Sequence, residues 1–459
     1  MAEPSHGSFP QRGQDAPARN RDVEGRFGFM FKNVEPFAPE DKLLQSLAAS
    51  MQQPLPNPGN RTQFDNPNIP AGYTFFGQFV DHDLTADRLS QLDRQQDPEG
   101  LRNFRTPVFD LDSVYAGGPS ENPQLFDGPK MRLDSHDGIA DLLRKSDGTA
   151  DIGDPRNEEN AIIHQLQIAL IQFHNAVVEH LAGHTAEPQL FSEAQKLTQR
   201  HYQWAVLTDF APRICGQQAV DAVMKRQTGN APIRPHLRFY KPKKTPFMPL
   251  EFSVAAYRFG HSQIRAGYAL TDTTGAAFFQ PQPGERNLNG FRRLDPALKL
   301  HWENFFDIPG SAKTPQRSQR IDSRLTSPLF QLPFGDPPHS LPERNLLRGK
   351  ALKLASGQAI AKAMGFNPHS NSDLGLTESG WNGQSPAWYY MLKEAELQHQ
   401  GTHLGDVGGG IVAEVLVGLL AENRNSFLRL DPGWTPIPPI APESGKFGVG
   451  DLLKFAGAV

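Results

Sequence analysis

The stretch Phe75-Phe76-Gly77-Gln78-Phe79-Val80-Asp81-His82-Asp83-Leu84 sets four polar side chains among apolar neighbours. Read as a helix of about a dozen residues, it puts Gln78 and His82, four apart, on one face. Asp81 and Asp83 then lie about 100° to either side of His82 around the axis. One short helix aims three chemistries in three directions, and the rest of the chain must supply what meets them.

Composition bounds what that can be. The 459 residues are enough for one large domain or roughly two to four smaller ones. With 46 basic and 50 acidic residues the net charge is −4, and no basic run points to nucleic acid. Cys215 stands alone, which excludes an intramolecular disulfide or a zinc ribbon and fits a reducing compartment. Met1 to Arg26 is polar, without the apolar core of a secretory signal, so the expected location is the cytoplasm, or outside it by a non-classical export route. Ile411 to Leu420 is about half a membrane span and is broken by Glu414, so a soluble protein with no transmembrane segment is expected. The 30 Phe against 8 Tyr and 5 Trp suit a large apolar cavity, and equally an ordinary core.

Along the chain, residues 1–25 read as a disordered segment and 26–459 as one domain, with the charged residues 88–102 exposed. In the Thr106–Tyr115 segment, Asp110 and Asp112 alternate on an extended or looped backbone, with Thr106 on the same register. Such hard oxygens suit calcium, or simply an Asp-rich turn; the residues leave both open. A long helix is expected from Asp154 or Pro155 to about Leu181, with Arg156 and Glu159 three apart on its first turns. Further helices are expected at 42–51, 191–210, 251–264, 296–305, 341–363, 386–398 and 410–423. In the 251–264 pattern, Gly260 removes a side chain beside His261 and leaves room for something flat, although a lone histidine on an apolar helix is more often a core residue. No alternating run is long enough for a sizeable sheet, and no tandem repeat is visible. The fold class expected is mainly α, a single large helical domain.

These stretches together resemble the haem peroxidases of the myeloperoxidase and lactoperoxidase type, within the peroxidase–cyclooxygenase superfamily. The resemblance runs from about Gly25 to the C-terminus. It rests on Gly-Gln-x-x-Asp-His-Asp at 77–83, the Thr-x-x-x-Asp loop before Val114-Tyr115, Arg-x-x-Glu at 156–159, Arg-x-Gly-His at 258–261, and Asn345 followed by Arg348. It implies haem b buried between a distal and a proximal helix. His82 corresponds to the distal base, Arg156 to the distal arginine and Gln78 to the distal glutamine. His261 corresponds to the haem-iron ligand and Asn345 to the partner accepting its other ring N–H. Arg258 and Arg348 correspond to residues that meet the propionates. Asp81 and Glu159 match the carboxylates that form ester bonds to haem in animal enzymes. Asn160 stands where the myeloperoxidase type has a methionine, so a third, sulfonium link is not expected. Calcium would be held by Asp83, Thr106, the Val108 carbonyl, Asp110 and Asp112, the last replacing a serine of the animal members.

The activity this implies is a peroxidase: hydrogen peroxide oxidises the haem to an oxoferryl state, which then oxidises halides, pseudohalides, phenols or another small-molecule electron donor. A fatty-acid dioxygenase of the cyclooxygenase branch is the alternative. Those enzymes carry a radical-forming tyrosine three residues before the proximal histidine. Here that position is Arg258, and Tyr257 is expected to aim elsewhere. A non-catalytic haem-binding or adhesion protein of the same fold predicts loss of His82 or Arg156, and both are present. Metal hydrolysis lacks its His-Glu-x-x-His signature.

Overall fold

The Phe75–Leu84 stretch lies in a 13-residue helix, Gly72–Leu84, sunk so deep that only Gln78 and Asp81 escape full burial. A helix apolar nearly all round has to be surrounded. Phe75 packs edge-on against Tyr268, and Phe76 and Phe79 both pack against Tyr202. This computed structural model describes residues 25–56, 62–85, 102–103, 107–226, 233–242, 246–279, 284, 286–333 and 335–459. The expected disorder of 1–25 falls outside the described residues except at Gly25, which starts a strand; the exposure of 88–102 and the calcium role of Thr106 also fall outside them.

The architecture is helical, with strand confined to short pieces. Gly25–Gly28 pairs in parallel with Phe247–Pro249 and antiparallel with Arg102–Asn103; the other sheets among the described residues are two-stranded. Next to the 72–84 helix runs Ala161–Leu181, with Glu187–Ala205 packed on it. Ile162, Ile163, Phe173 and Val177 of the 161–181 helix are wholly buried, each side chain contributing roughly 1.5–3 kcal/mol. This helix, rather than 411–420, is long and apolar enough to cross a membrane by length and composition. Yet 83% of its most apolar window is buried inside the fold, as a core helix would be.

Four expected helices are broken; the one expected at 296–305 is two 3-10 turns, Pro296–Leu298 and Trp302–Asn304, with His301 extended between them. The helix expected from 154 to 181 is two pieces: a 3-10 turn, Pro155–Glu158, capped by Asp154, and then the α-helix starting at Ala161. The loop 289–291 separates them. Gly290 N–H and Phe291 N–H donate to the carbonyls of Glu159 and Glu158 at 3.2 and 2.9 Å. Those carbonyls would otherwise accept from Ile163 and Ile162. The Asn160 side chain accepts those two N–H groups instead, at 3.0 and 3.1 Å. The loop approaches so closely that a Cβ on Gly290 would lie 1.7 Å from the Glu158 oxygen.

The 251–264 pattern winds as a π-helical turn, Glu251–Ala255, followed by a 3-10 turn, Ala256–His261, with Ala255 off helical geometry between them. The 341–363 run splits into Leu341–Ala351 and Gly357–Met364, with Lys353 in left-handed conformation and Ser356 capping the second piece. Asp110 and Asp112 are likewise not on extended backbone. Leu111 between them is left-handed (φ 55°), and Asp112 starts the one-turn helix Asp112–Tyr115.

Candidate active site

A cavity of about 1370 Å³, counted out to its mouth, opens between the 72–84 helix and the 256–261 turn. Gln78, Asp81 and His82 line it from one side, and Arg258, Gly260 and His261 from the other. Glu159 and Asn160 border it as well. Its apolar walls include Phe75, Phe259, Ile264, Phe278 and Phe279. A flat apolar group with polar edges fits this lining of two imidazoles, two carboxylates and a guanidinium among apolar walls. A Cβ added at Gly260 would meet nothing within 4 Å, so the space beside His261 is open.

On the His261 side, the Asn345 amide lies 2.8 Å from Nδ1, with the amide nitrogen facing the ring. A half-turn of the amide presents its oxygen there instead, able to accept Nδ1–H and leave Nε2 as a ligand. The buried Asn345 comes from the 341–351 helix, which starts at the Ser340 cap with Pro342 in its first turn. Arg348 follows one turn later, half-buried and outside the cavity lining, whereas Arg258 is in the lining and its Nε donates to the Ser253 carbonyl at 3.1 Å. Tyr257 departs from the expectation. The switch from π to 3-10 winding turns it into the cavity, where its hydroxyl donates to the Gly77 carbonyl of the opposite helix at 3.2 Å. Burial, and then the nearby Asp81, push its phenol pKa well up.

On the opposite side, His82 Nδ1 lies 2.9 Å from Asn157 Oδ1, and Asn157 Nδ2 donates to Gln167 Oε1 at 2.9 Å. His82 Nε2 is 3.4 Å from Glu159 Oε1. Gln78 joins the same cluster: its amide nitrogen donates to Glu159, and its oxygen accepts from Asn160 Nδ2 at 3.2 Å. Asn157, Asn160 and Gln167 were not read as site residues from the sequence. Their signal was position, since Asn157 and Asn160 sit inside or beside the Arg-x-x-Glu motif.

Arg156 is buried but is not among the residues lining the cavity. It pairs with Asp154 at 2.9 Å and donates to the carbonyls of His82, at 3.1 Å, and Thr85. These contacts hold the C-terminal end of the 72–84 helix, where a cation suits the exposed carbonyls. Burial opposes its charge, but Asp154, then Asp81 and Glu159, raise its pKa and keep it protonated. Behind this turn, Arg144 pairs with Glu158 and Asp141, and His164 Nε2 lies 2.8 Å from Asp141.

The expected calcium ligands are only partly brought together. Asp83 is fully buried and takes the Leu111 N–H and the Ser113 hydroxyl, both at 3.3 Å. Asp83 and Asp110 both lie close enough to the buried Tyr202 hydroxyl to raise its pKa further, after burial itself. Asp110 Oδ1 turns back to the Asp112 N–H, and Asp112 Oδ1 caps the Gly117 N–H. Among the described residues no group of three His, Cys, Asp or Glu side chains is placed to hold a metal ion.

Comparison with known proteins agrees with this geometry. The animal haem peroxidase family matches residues 87–373, which include Arg156, His261 and Asn345 but begin just after His82. A Peroxidase of Drosophila melanogaster is 27% identical over 357 residues, covering 72% of this chain and 48% of its own length. Thyroid peroxidase of Canis lupus familiaris is 26% identical over 189 residues, 39% of this chain and 18% of that protein. The chain thus spans about half the length of the first of these relatives, and less of the second. Among solved structures, Peroxidase A from Dictyostelium discoideum superposes with a TM-score of 0.62 at 16% identity, covering 88% of both chains. The fatty acid alpha-dioxygenase of Arabidopsis thaliana gives 0.58 at 14% identity, over 87% of this chain and 74% of that one. At such identities the superpositions speak for the fold. The sequence match over more than half of the chain speaks for descent: this chain belongs to the animal haem peroxidase family.

Proposed function

We propose that the chain is a haem-dependent peroxidase that reduces hydrogen peroxide and oxidises a small donor such as a phenol, halide or pseudohalide. The observation carrying this reading is the pair of imidazoles, His82 and His261, on opposite sides of one cavity, each with an amide at its Nδ1. When bound, haem supplies the redox chemistry that couples peroxide reduction to donor oxidation. His261, with its Nδ1–H held by Asn345, would be the residue that offers Nε2 to the haem iron. Arg258, in the cavity lining, would meet a propionate, and Arg348 would assist from beyond the lining. On the distal side, His82 Nε2 would take a proton from one peroxide oxygen and return it to the other, which would leave as water, the two electrons for O–O cleavage being supplied by bound haem and recovered from the donor. Gln78 holds a small ligand or water beside it. Arg156 acts by holding the end of the 72–84 helix and by its positive field, rather than by touching peroxide.

Asp81 and Glu159 both border the cavity, which supports reading them as the carboxylates that would form ester bonds to a haem edge. Calcium is the cation we assign to Asp83 and the 108–112 loop, because the buried Asp83 carboxylate is held against that loop by the Leu111 N–H and the Ser113 hydroxyl. Metal analysis of the purified chain should find about one calcium per chain; a calcium-free protein with full activity would remove that assignment.

The fatty-acid dioxygenase reading keeps one supporting observation, the reach of Tyr257 into the cavity. One assay series separates the two. Peroxide-dependent oxidation of a phenol should fall about 100-fold or more in His82→Ala. Oxygen uptake with a long-chain fatty acid, lost in Tyr257→Phe, would favour the dioxygenase instead.

A further inference from the structure

The proposed reaction needs a distal imidazole with a bare Nε2 facing peroxide, and neutral histidine has two tautomers. Something must choose between them. Toward the cavity, His82 Nε2 is 3.4 Å from Glu159 Oε1, too long for a good hydrogen bond, and that oxygen already accepts from Gln78. Away from the cavity, Nδ1 is 2.9 Å from Asn157 Oδ1. Asn157 is fully buried, and its amide nitrogen is spent on Gln167 Oε1, also fully buried. With both amides in this orientation the Asn157 oxygen is the end facing the imidazole. Gln167 in turn sits about one-third of the way along the 161–181 helix, and its Nε2 has no hydrogen-bond partner.

From this geometry we infer that Asn157, backed by Gln167, is the positioning residue that fixes His82 in the Nδ1–H tautomer. The assignment rests on the peroxidase reading for its purpose but not for its geometry. Asn157 does not itself line the cavity; it acts through His82, which does. Its place on the one-turn helix 155–158 explains why the break at Asn160 matters. A continuous α-helix from 155 would turn residue 157 to a different bearing from the one that meets His82.

The test uses the full chain loaded with zinc protoporphyrin, a diamagnetic stand-in that lets nitrogen-15 resonances of His82 be read, with His82→Gln to assign them. The wild-type ring should appear as a single Nδ1–H tautomer. Asn157→Leu should give a tautomer mixture or Nε2–H. In the haem-loaded chain its rate of reaction with peroxide should drop about tenfold or more. Asn157→Asp, which keeps an acceptor at the same place, should restore both. Gln167→Met, remote from the ring and milder for folding, should shift the tautomer ratio in the same direction. A wild-type ring protonated at Nε2, or a ring still wholly Nδ1–H in both Asn157→Leu and Gln167→Met, would overturn the inference. Should the tautomer respond as stated while His82→Ala keeps the full peroxide rate, the positioning stands and the distal-base reading fails.

Discussion

Asn160 shows how much one side chain can join. Its Oδ1 caps the 161–181 helix by accepting two N–H groups, and its Nδ2 donates to Gln78 in the cavity wall. Replacing it with Ala should cost about 1 kcal/mol of stability from the lost cap. Asn160→Asp keeps the acceptor and should retain most of that stability while losing the bond to Gln78. Urea denaturation of the two variants checks this; equal losses would mean the cap contributes little. In the sequence this residue was legible only as the absence of a methionine. The histidines, Gln78, Asp81 and Glu159 were legible because their spacing repeats a known pattern. Asn157 and Gln167 were not, because their meaning depends on a contact between segments 75 and 85 residues away from His82.

At the scale of elements, helix positions were readable and helix breaks were not. The periodicity of 161–181 marks a helix, but its start is set by the 289–291 loop, whose N–H groups occupy the carbonyls of Glu158 and Glu159. Nothing local to residues 154–160 announces that loop. A second element shows a buried carboxylate doing similar work. Glu394 accepts the N–H groups of Val407 and Gly408, at the start of the Asp406–Glu422 helix, at 3.0 and 3.2 Å. Burial raises its pKa to about 8 despite those two bonds. A raised carboxyl stabilises fully below its unfolded value of about 4.3, and that contribution is lost as pH rises through 8. The unfolding midpoint should therefore fall between about pH 5 and 8, by the equivalent of a few kcal/mol. Glu394→Gln should flatten that slope. Calorimetry across the range decides it, and an unchanged slope in the variant would place the pH dependence elsewhere.

At the scale of the whole molecule, four segments separated in sequence by about 70 to 100 residues meet around one cavity: 72–84, 155–160, 256–261 and 341–351. The mainly helical class was readable from the periodicity and from the lack of alternating runs. The winding of 251–261 was not, and it is what brings Tyr257 into the cavity. The central claim is that His82 and His261 enclose a haem that peroxide can reach. The measurement that tests it most directly is the absorption spectrum of the haem-loaded chain before and after one equivalent of hydrogen peroxide. The account predicts a Soret band that requires His261 and that changes rapidly on adding peroxide. A chain that gives no Soret band, or one that peroxide leaves unchanged, would contradict it.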